Sequence, residues 1–139
     1  AGLRIGFLVG DHEVVDVIRR TCVVYSVNSL AQIAAFAALD QDNEHIAKTR
    51  DLVRDGKELL HREVRNLHLS FVSGAGNFMM IELPINDGLA YRKLMRHGIM
   101  IRSMTGFRFP NWIRVTVSQR EAMEAFLEAL QKVLTVENF

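Results

Sequence analysis

An internal disulfide needs two cysteines, and this sequence of 139 residues has one, Cys22. A disulfide framework and a cysteine-rich metal site are therefore excluded within the sequence, and a lone thiol is typical of a reducing compartment. We accordingly expect a cytoplasmic protein. The sequence also has only two prolines, and no apolar run approaches the roughly 20 residues that a membrane-spanning helix needs.

An excess of charge of one sign is also missing. The sequence has 17 basic and 16 acidic residues, which gives a formal net charge of +1. Nucleic acids and acidic membrane surfaces bind strongly basic surfaces, so we expect neither as a partner. What the sequence does have is 49% hydrophobic residues, which is a globular composition and enough to bury a core.

The spacing of apolar residues predicts a mixed α/β protein. From residue 67 onward, strands and helices alternate, which indicates a small sheet covered by helices on one face. The helices before it resemble a connection to something larger. The predicted elements are a strand at 3–9, helices at 14–23, 30–39 and 42–66, strands at 69–72 and 77–83, a helix at 87–95, strands at 99–102 and 112–117, and a final helix that runs to Leu134.

Three positions in these elements carry specific expectations. The helix at 30–39 is apolar almost all round, so we expect it to be buried in a whole protein and to be exposed and prone to association in an isolated fragment. Gly56 interrupts the long helix at a cost of about 1 kcal/mol relative to alanine, which predicts close packing or a bend there. Asp87 is expected to cap the helix that follows it, with Gly98 ending that helix.

Arginines provide the candidate binding residues. Arg102 shares a strand face with Met100, and Arg114 shares one with Trp112 and Thr116, in both cases opposite the β-branched residues of the core face. A planar guanidinium matches a carboxylate or phosphate with two parallel hydrogen bonds. Arg4 stands between Gly2 and Gly6 as a third fixed charge. From the pattern alone, these side chains are either anion ligands or ordinary exposed arginines.

Other chemistry-bearing residues give weaker signals. The glycine-rich segment 73–76 joins two strands and opens no helix, so a hairpin turn is favoured over a phosphate loop. The histidines show no metal-ligand spacing; they are His12, His45, His61, His68 and His97. The lysines all fall in charge-rich helical segments; they are Lys48, Lys57, Lys93 and Lys132. We therefore predict no metal site, and the pattern assigns no Schiff-base lysine and no pair of catalytic carboxylates.

Five motifs, in this order, resemble fold-type I pyridoxal-phosphate (PLP) aminotransferases of class I/II, and most closely the histidinol-phosphate aminotransferase group. They are residues 1–7 (AGLRIGF), 25–32 (YSVNSLAQ), 76–78 (GNF), 98–102 (GIMIR) and 112–117 (WIRVTV). The resemblance extends to about Leu134. It departs from the group after Val117, where Ser118 and Gln119 replace the usual glycine and threonine.

The resemblance implies roles for the three arginines. Arg4 matches the arginine that binds the cofactor phosphate. Arg114 matches the arginine that receives the acidic group of the substrate, and Arg102 matches a second arginine near that group. The Schiff-base lysine of the family lies upstream of the position of Ala1, so the chain is expected to be the downstream, inactive part of a longer enzyme.

The resemblance also implies an organisation and partners. Residues 1–25 would be a remnant of the large PLP-binding domain, 26–66 connecting helices, and 67–139 the small C-terminal α/β domain. The family forms homodimers and transfers an amino group between an amino compound, such as histidinol phosphate, and a 2-oxo acid. Two alternatives remain open: a threonine-phosphate decarboxylase, and a non-catalytic α/β binding module with the same fold.

Overall fold

The computed structural model describes residues 2–41 and 43–135. The chain forms two compact units, of which the first ends at Ile46 and the second begins at Ala47. The helices are α1 (His12–Thr21), α2 (Ser29–Gln41), α3 (Asn43–Asn66), α4 (Asp87–Met95) and α5 (Arg120–Thr135). The strands are β1 (Phe71–Ser73), β2 (Phe78–Glu82), β3 (Arg102–Ser103) and β4 (Trp112–Thr116). None of the helices in the described part is both long and apolar enough to cross a membrane.

The first unit lacks the strand that the sequence predicts at residues 3–9. Residues 4–10 form neither helix nor strand, and Phe7 is 81% exposed. A strand is stabilised by bonds to a neighbouring strand, and residues 4–10 pair with none in the described part of the chain. The prediction was therefore wrong, although the alternation of apolar residues that suggested it is present. Ala1, the first residue of the motif, lies outside the described residues.

The two helices of the first unit form where the sequence predicts them. Asp11 caps α1 by accepting a hydrogen bond from the Glu13 amide at 2.9 Å. The Asn28 side chain accepts one from the Ala31 amide at 2.8 Å at the start of α2. In the chain by itself α2 is exposed, as expected of an isolated fragment: among its residues of described burial only Ala31 is fully buried, and Phe36 is 78% exposed.

The second unit is built on a four-stranded sheet of order β1-β2-β4-β3 in which every neighbouring pair is antiparallel. The segment 73–76 connects β1 to β2, as the hairpin prediction required. Alternation along the central strands gives one buried face, formed by Met79, Ile81, Ile113 and Val115. This face packs with side chains of α3, α4 and α5, including Leu60, Leu94, Phe126 and Leu130. The sheet is thus covered by helices on one face, as predicted.

Gly56 marks the closest approach between α3 and the end of β4. A Cβ added at Gly56 would lie 2.5 Å from Cγ1 of Val117 and 3.5 Å from the carbonyl oxygen of Ser118. Val117 is itself buried. Of the two explanations for this glycine, close packing is therefore confirmed.

Two details at the other end of the sheet differ from expectation. Asn86, and not Asp87, caps α4, with its Oδ1 accepting from the amides of Gly88 at 3.0 Å and Leu89 at 3.1 Å. The third strand is shorter and later than residues 99–102, since its ladder pairs only Arg102 and Ser103 with β4. Gly98, which follows α4, has the left-handed φ of 75° that its predicted position demands.

Candidate functional site: paired arginines on the open sheet face

The sheet brings Arg102 and Arg114 directly opposite each other. They are register partners of the β3–β4 ladder. Because partners in a ladder point to the same face, both side chains lie on the face opposite the one that packs against α3, α4 and α5. Arg114 is half-buried and Arg102 is exposed. Sequence reasoning placed each arginine on a strand face, and the structure places them on the same one.

Each guanidinium of the pair lies over an aromatic ring. The Arg114 guanidinium carbon is 5.3 Å from the centroid of Phe78, on β2. That of Arg102 is 5.4 Å from the centroid of Phe107, in the one-turn helix Thr105–Phe107 between β3 and β4. Such contacts stabilise a cation by about 0.5–1 kcal/mol at exposed sites and restrict its orientation.

The two positive charges of the arginine pair are not balanced by a nearby carboxylate among the described residues. Like charges directly opposite each other on a sheet are destabilising. Within the described residues, neither Arg102 nor Arg114 has a hydrogen bond or an ion pair to a carboxylate. A bound carboxylate or phosphate would relieve the repulsion and supply the acceptors that both guanidinium groups lack. The chemistry that this arrangement supports is the capture of an anionic group.

Asp87 is the polar residue that sequence reasoning misassigned. It is fully buried. Its carboxylate accepts a hydrogen bond from the Ser103 hydroxyl and another from the Thr105 hydroxyl, the second at 2.6 Å. It also accepts from the backbone amides of Met104 and Thr105, each at 3.0 Å, and of Asn111 at 3.2 Å. A position at the start of a helix made Asp87 look like a cap, and nothing local indicated partners 16 or more residues away.

These bonds keep Asp87 ionised. Burial by itself would raise the pKa of the carboxyl, but the hydroxyls of Ser103 and Thr105 and the amides of Thr105 and Asn111 outweigh burial. They hold the pKa of Asp87 well below its usual range, because every one of these bonds is stronger to the charged form.

Arg4 lies in the first unit and is exposed. Its φ of 59° is left-handed, which is uncommon for a residue other than glycine. A Cβ added at the flanking Gly2 or Gly6 would meet nothing within 4 Å. Neither flanking glycine is therefore required by close packing at its Cβ position.

The described residues contain no cluster of three or more histidine, cysteine or acidic side chains that could hold a metal ion. The lysines are on helices, and all four have interactions with other groups. Lys57 donates to the Gly74 carbonyl at 2.5 Å, and Lys132 pairs with Glu128 at 2.6 Å. None of the four is buried, so none has the desolvated surroundings that activate a lysine for covalent catalysis.

The fold and the arginine pair together define a small α/β unit whose helix-free sheet face presents two cations. The chain belongs to the family of class I and II aminotransferases, whose model matches residues 1–130. The predicted resemblance to that family and the predicted fold class are confirmed.

Curated relatives carry names of the same family, and a solved structure has the same fold. The chain is 37% identical over 134 residues to histidinol-phosphate aminotransferase 2 of Pseudomonas aeruginosa, covering 96% of this chain and 36% of that protein. It is 36% identical to histidinol-phosphate aminotransferase 1 of Nitrosococcus oceani, with the same coverage. The crystal structure of the histidinol-phosphate aminotransferase of Clostridium acetobutylicum matches with a TM-score of 0.75 at 21% identity, covering 89% of this chain and 38% of that one. The chain thus spans about a third of the length of the relatives that it matches.

Proposed function

We propose that this chain acts as the C-terminal part of a PLP-dependent aminotransferase that transfers an amino group from histidinol phosphate, or a related amino compound, to 2-oxoglutarate. The observation that carries the proposal is the arginine pair, whose two cations are register partners and have no acidic partner in the described chain. Membership of the aminotransferase family and the names of the relatives at 36–37% identity support the reaction and the substrate.

In this proposal Arg114 binds the acidic group of the substrate, an α-carboxylate or a phosphate. Arg114 is half-buried and lies on a central strand, so its position is fixed by ladder bonds on both sides. Arg102 comes from the edge strand opposite and adds a second cation to the same anion. A planar guanidinium on a rigid strand holds an acid in one orientation, which a flexible lysine does not.

Arg4 in this proposal binds the phosphate of the cofactor. Its fixed positive charge and its exposure fit a phosphate. The described lysines do not fit the residue that holds the cofactor covalently, so this chain would supply the phosphate contact and the substrate arginines only. PLP supplies the electron sink for amino transfer. These arginines bind and orient the phosphate of the cofactor and the acidic group of the substrate.

The remaining parts of the proposal concern organisation. Residues 1–25 belong to the PLP-binding domain, 26–66 are connecting helices and 67–139 form the small domain. Of these, residues 1, 42 and 136–139 lie outside the described part of the structure. The protein is a cytoplasmic homodimer in this proposal, and the exposed apolar side chains of α2 support association. Sedimentation of the protein as a monomer at high concentration would count against it.

Kinetics of the whole enzyme test the role of Arg114. Arg114→Ala is expected to lower kcat/KM for the acidic substrate by about 2–4 kcal/mol in transition-state terms, since the substrate anion loses its guanidinium partner. Arg114→Lys is expected to restore only part of the loss. Arg120→Ala, which removes an exposed arginine paired with Glu124, is the matched control and should leave kcat/KM unchanged.

Each alternative gives a different result in this assay. Release of carbon dioxide without amino transfer to 2-oxoglutarate would replace the aminotransferase proposal with a decarboxylase. Absence of both reactions would favour a non-catalytic module. An unchanged kcat/KM in Arg114→Ala would refute the role given to this residue alone.

A further inference from the structure

Residues 103–111, which we call the 103–111 connection, link the strand position of one arginine of the pair to that of the other. The connection begins at Ser103, the last residue of β3 and the neighbour of Arg102, and ends at Asn111, three residues before Arg114. All five hydrogen bonds accepted by Asp87 come from this connection. One buried carboxylate on α4 therefore fastens both ends of the connection to the same point.

The turn that Asp87 binds also contains the aromatic ring over which the Arg102 guanidinium lies. We call the ring under each guanidinium the platform of that arginine. Phe107, whose ring lies under the Arg102 guanidinium, is the last residue of the one-turn helix that starts at Thr105. Asp87 binds that helix at its first residue, through both the amide and the hydroxyl of Thr105. Loss of these bonds would release the ring that orients Arg102.

The platform of Arg114 has no such dependence. Phe78 lies on β2, which pairs with β4 along its full length. Arg114 and its ring are thus held by the central ladder, whereas Arg102 and its ring are held by a two-residue strand and the Asp87 bonds. Loss of the Asp87 bonds should therefore move Arg102 more than Arg114.

The far end of the connection shows that the Asp87 bonds hold an unfavourable conformation. Asn111 has a left-handed φ of 67°. Its amide donates to Asp87, and its carbonyl accepts from the Leu83 amide at 2.8 Å. A left-handed residue other than glycine persists only where surrounding contacts fix it. The carboxylate is one of the two contacts that fix Asn111.

From these contacts we propose that Asp87 is a positioning residue for the anion site, and that it acts through the 103–111 connection on Arg102 much more than on Arg114. The inference rests on the proposed function of the arginine pair. It goes further, because it assigns the geometry of that pair to a buried carboxylate on a different element. Nothing about Asp87 requires it to touch the substrate.

Two substitutions test the proposal, Asp87→Asn as the larger disruption of the hydrogen bonds and Thr105→Val as the smaller one, and two further variants are controls. Asp87→Asn keeps the size of the side chain but replaces an acceptor oxygen with a donor nitrogen facing backbone amides. Thr105→Val removes one hydroxyl donor with little change of shape, and Thr105→Ser keeps the hydroxyl as its matched control. Val133→Ala, in the buried core of α5, serves as a variant that loses stability without touching the connection.

The first measurement is residue-resolved labelling of arginines with phenylglyoxal in the whole protein, read by mass spectrometry with increasing inorganic phosphate. We expect phosphate to protect Arg102 and Arg114 in the wild-type protein. In Asp87→Asn, the phosphate concentration that half-protects Arg102 should rise about tenfold. That is about the loss in affinity expected when one net hydrogen bond that positions Arg102 is lost. Thr105→Val should shift it in the same direction, and Thr105→Ser and Val133→Ala should not.

The second measurement is a double-mutant cycle in kcat/KM for the acidic substrate. Asp87→Asn should raise KM with little change in kcat, and its effect should largely disappear when Arg102 is already alanine. Phosphate that fails to protect either arginine in the wild-type protein would overturn the proposed function itself. Wild-type protection with an unchanged Asp87→Asn response, or an equal response in Val133→Ala, would overturn only the positioning role of Asp87.

Discussion

Replacing Gly56 with alanine tests how closely α3 packs against the end of β4. Alanine is the better helix former by about 1 kcal/mol, so an exposed glycine at this position would gain stability from the change. The new Cβ, however, would lie 2.5 Å from Cγ1 of Val117. Propensity and packing therefore predict opposite signs for the same substitution.

The packing term is expected to win. Val117 is buried and its β-branched side chain is stiff, so it cannot turn away from the new methyl group. Its amide also donates to the Asn77 carbonyl at 2.8 Å, which holds the strand in place. Overpacking of this kind costs about 1–3 kcal/mol. With about 1 kcal/mol returned by propensity, Gly56→Ala should destabilise the protein by up to about 2 kcal/mol.

The assay is urea unfolding followed by fluorescence of Trp112, the one tryptophan in the sequence, which lies on β4. Gly74→Ala is the matched control, because a Cβ added there meets nothing within 4 Å. In the Val117→Ala background, Gly56→Ala should become neutral or stabilising, since the methyl group that it meets is gone. A stabilising effect of Gly56→Ala in the wild-type background would refute the close-packing explanation.

Three further predictions concern stability. Because the pKa of Asp87 is lowered, its carboxylate stabilises the fold above the unfolded carboxyl pKa of about 3.9, and this stabilisation is lost as pH falls below that value. In Asp87→Asn, the free energy of unfolding should therefore depend less on pH between about pH 4 and 2. Burial, followed by the charges of Arg65 and Lys57, lowers the pKa of His61, and its Nε2 has no hydrogen-bond partner in the described structure. Stability should therefore fall as pH drops below about 6.5, and His61→Phe should reduce that slope in urea titrations at successive pH values. Asn86→Ala should cost about 1 kcal/mol in thermal or urea unfolding through loss of the α4 cap, and Asn86→Ser should restore most of it.

Local patterns were sufficient for the helices and for the sheet faces. Helices α1, α3, α4 and α5 form where apolar periodicity placed them, because amphipathic spacing and short polar caps act within a few residues. The faces of Arg102 and Arg114 followed from alternation alone, because side chains alternate along any strand. Gly56 was recognisable as a packing site because a glycine within a helix needs a reason beyond propensity.

Where the sequence misled, the cause was a partner at a distance. Residues 3–9 have strand-like alternation, but a strand also needs a neighbour to bond with, and none of the described residues supplies one. The apolar character of α2 indicates a helix that needs a partner, and its side chains are exposed in this chain, because burial depends on what packs against a helix and not on the helix itself. Asp87 looked like a cap because capping is local, whereas its five hydrogen bonds come from a segment much later in the chain.

The sequence by itself determined the family, the order of most elements and the strand face on which each arginine lies. Those features depend on residue type and on spacings shorter than one element. Only the tertiary structure decided that Arg102 and Arg114 are opposite each other, and that a buried carboxylate on α4 holds the connection between their strands. Strand register and buried hydrogen bonds depend on which distant segments meet, and local residue spacing does not specify that.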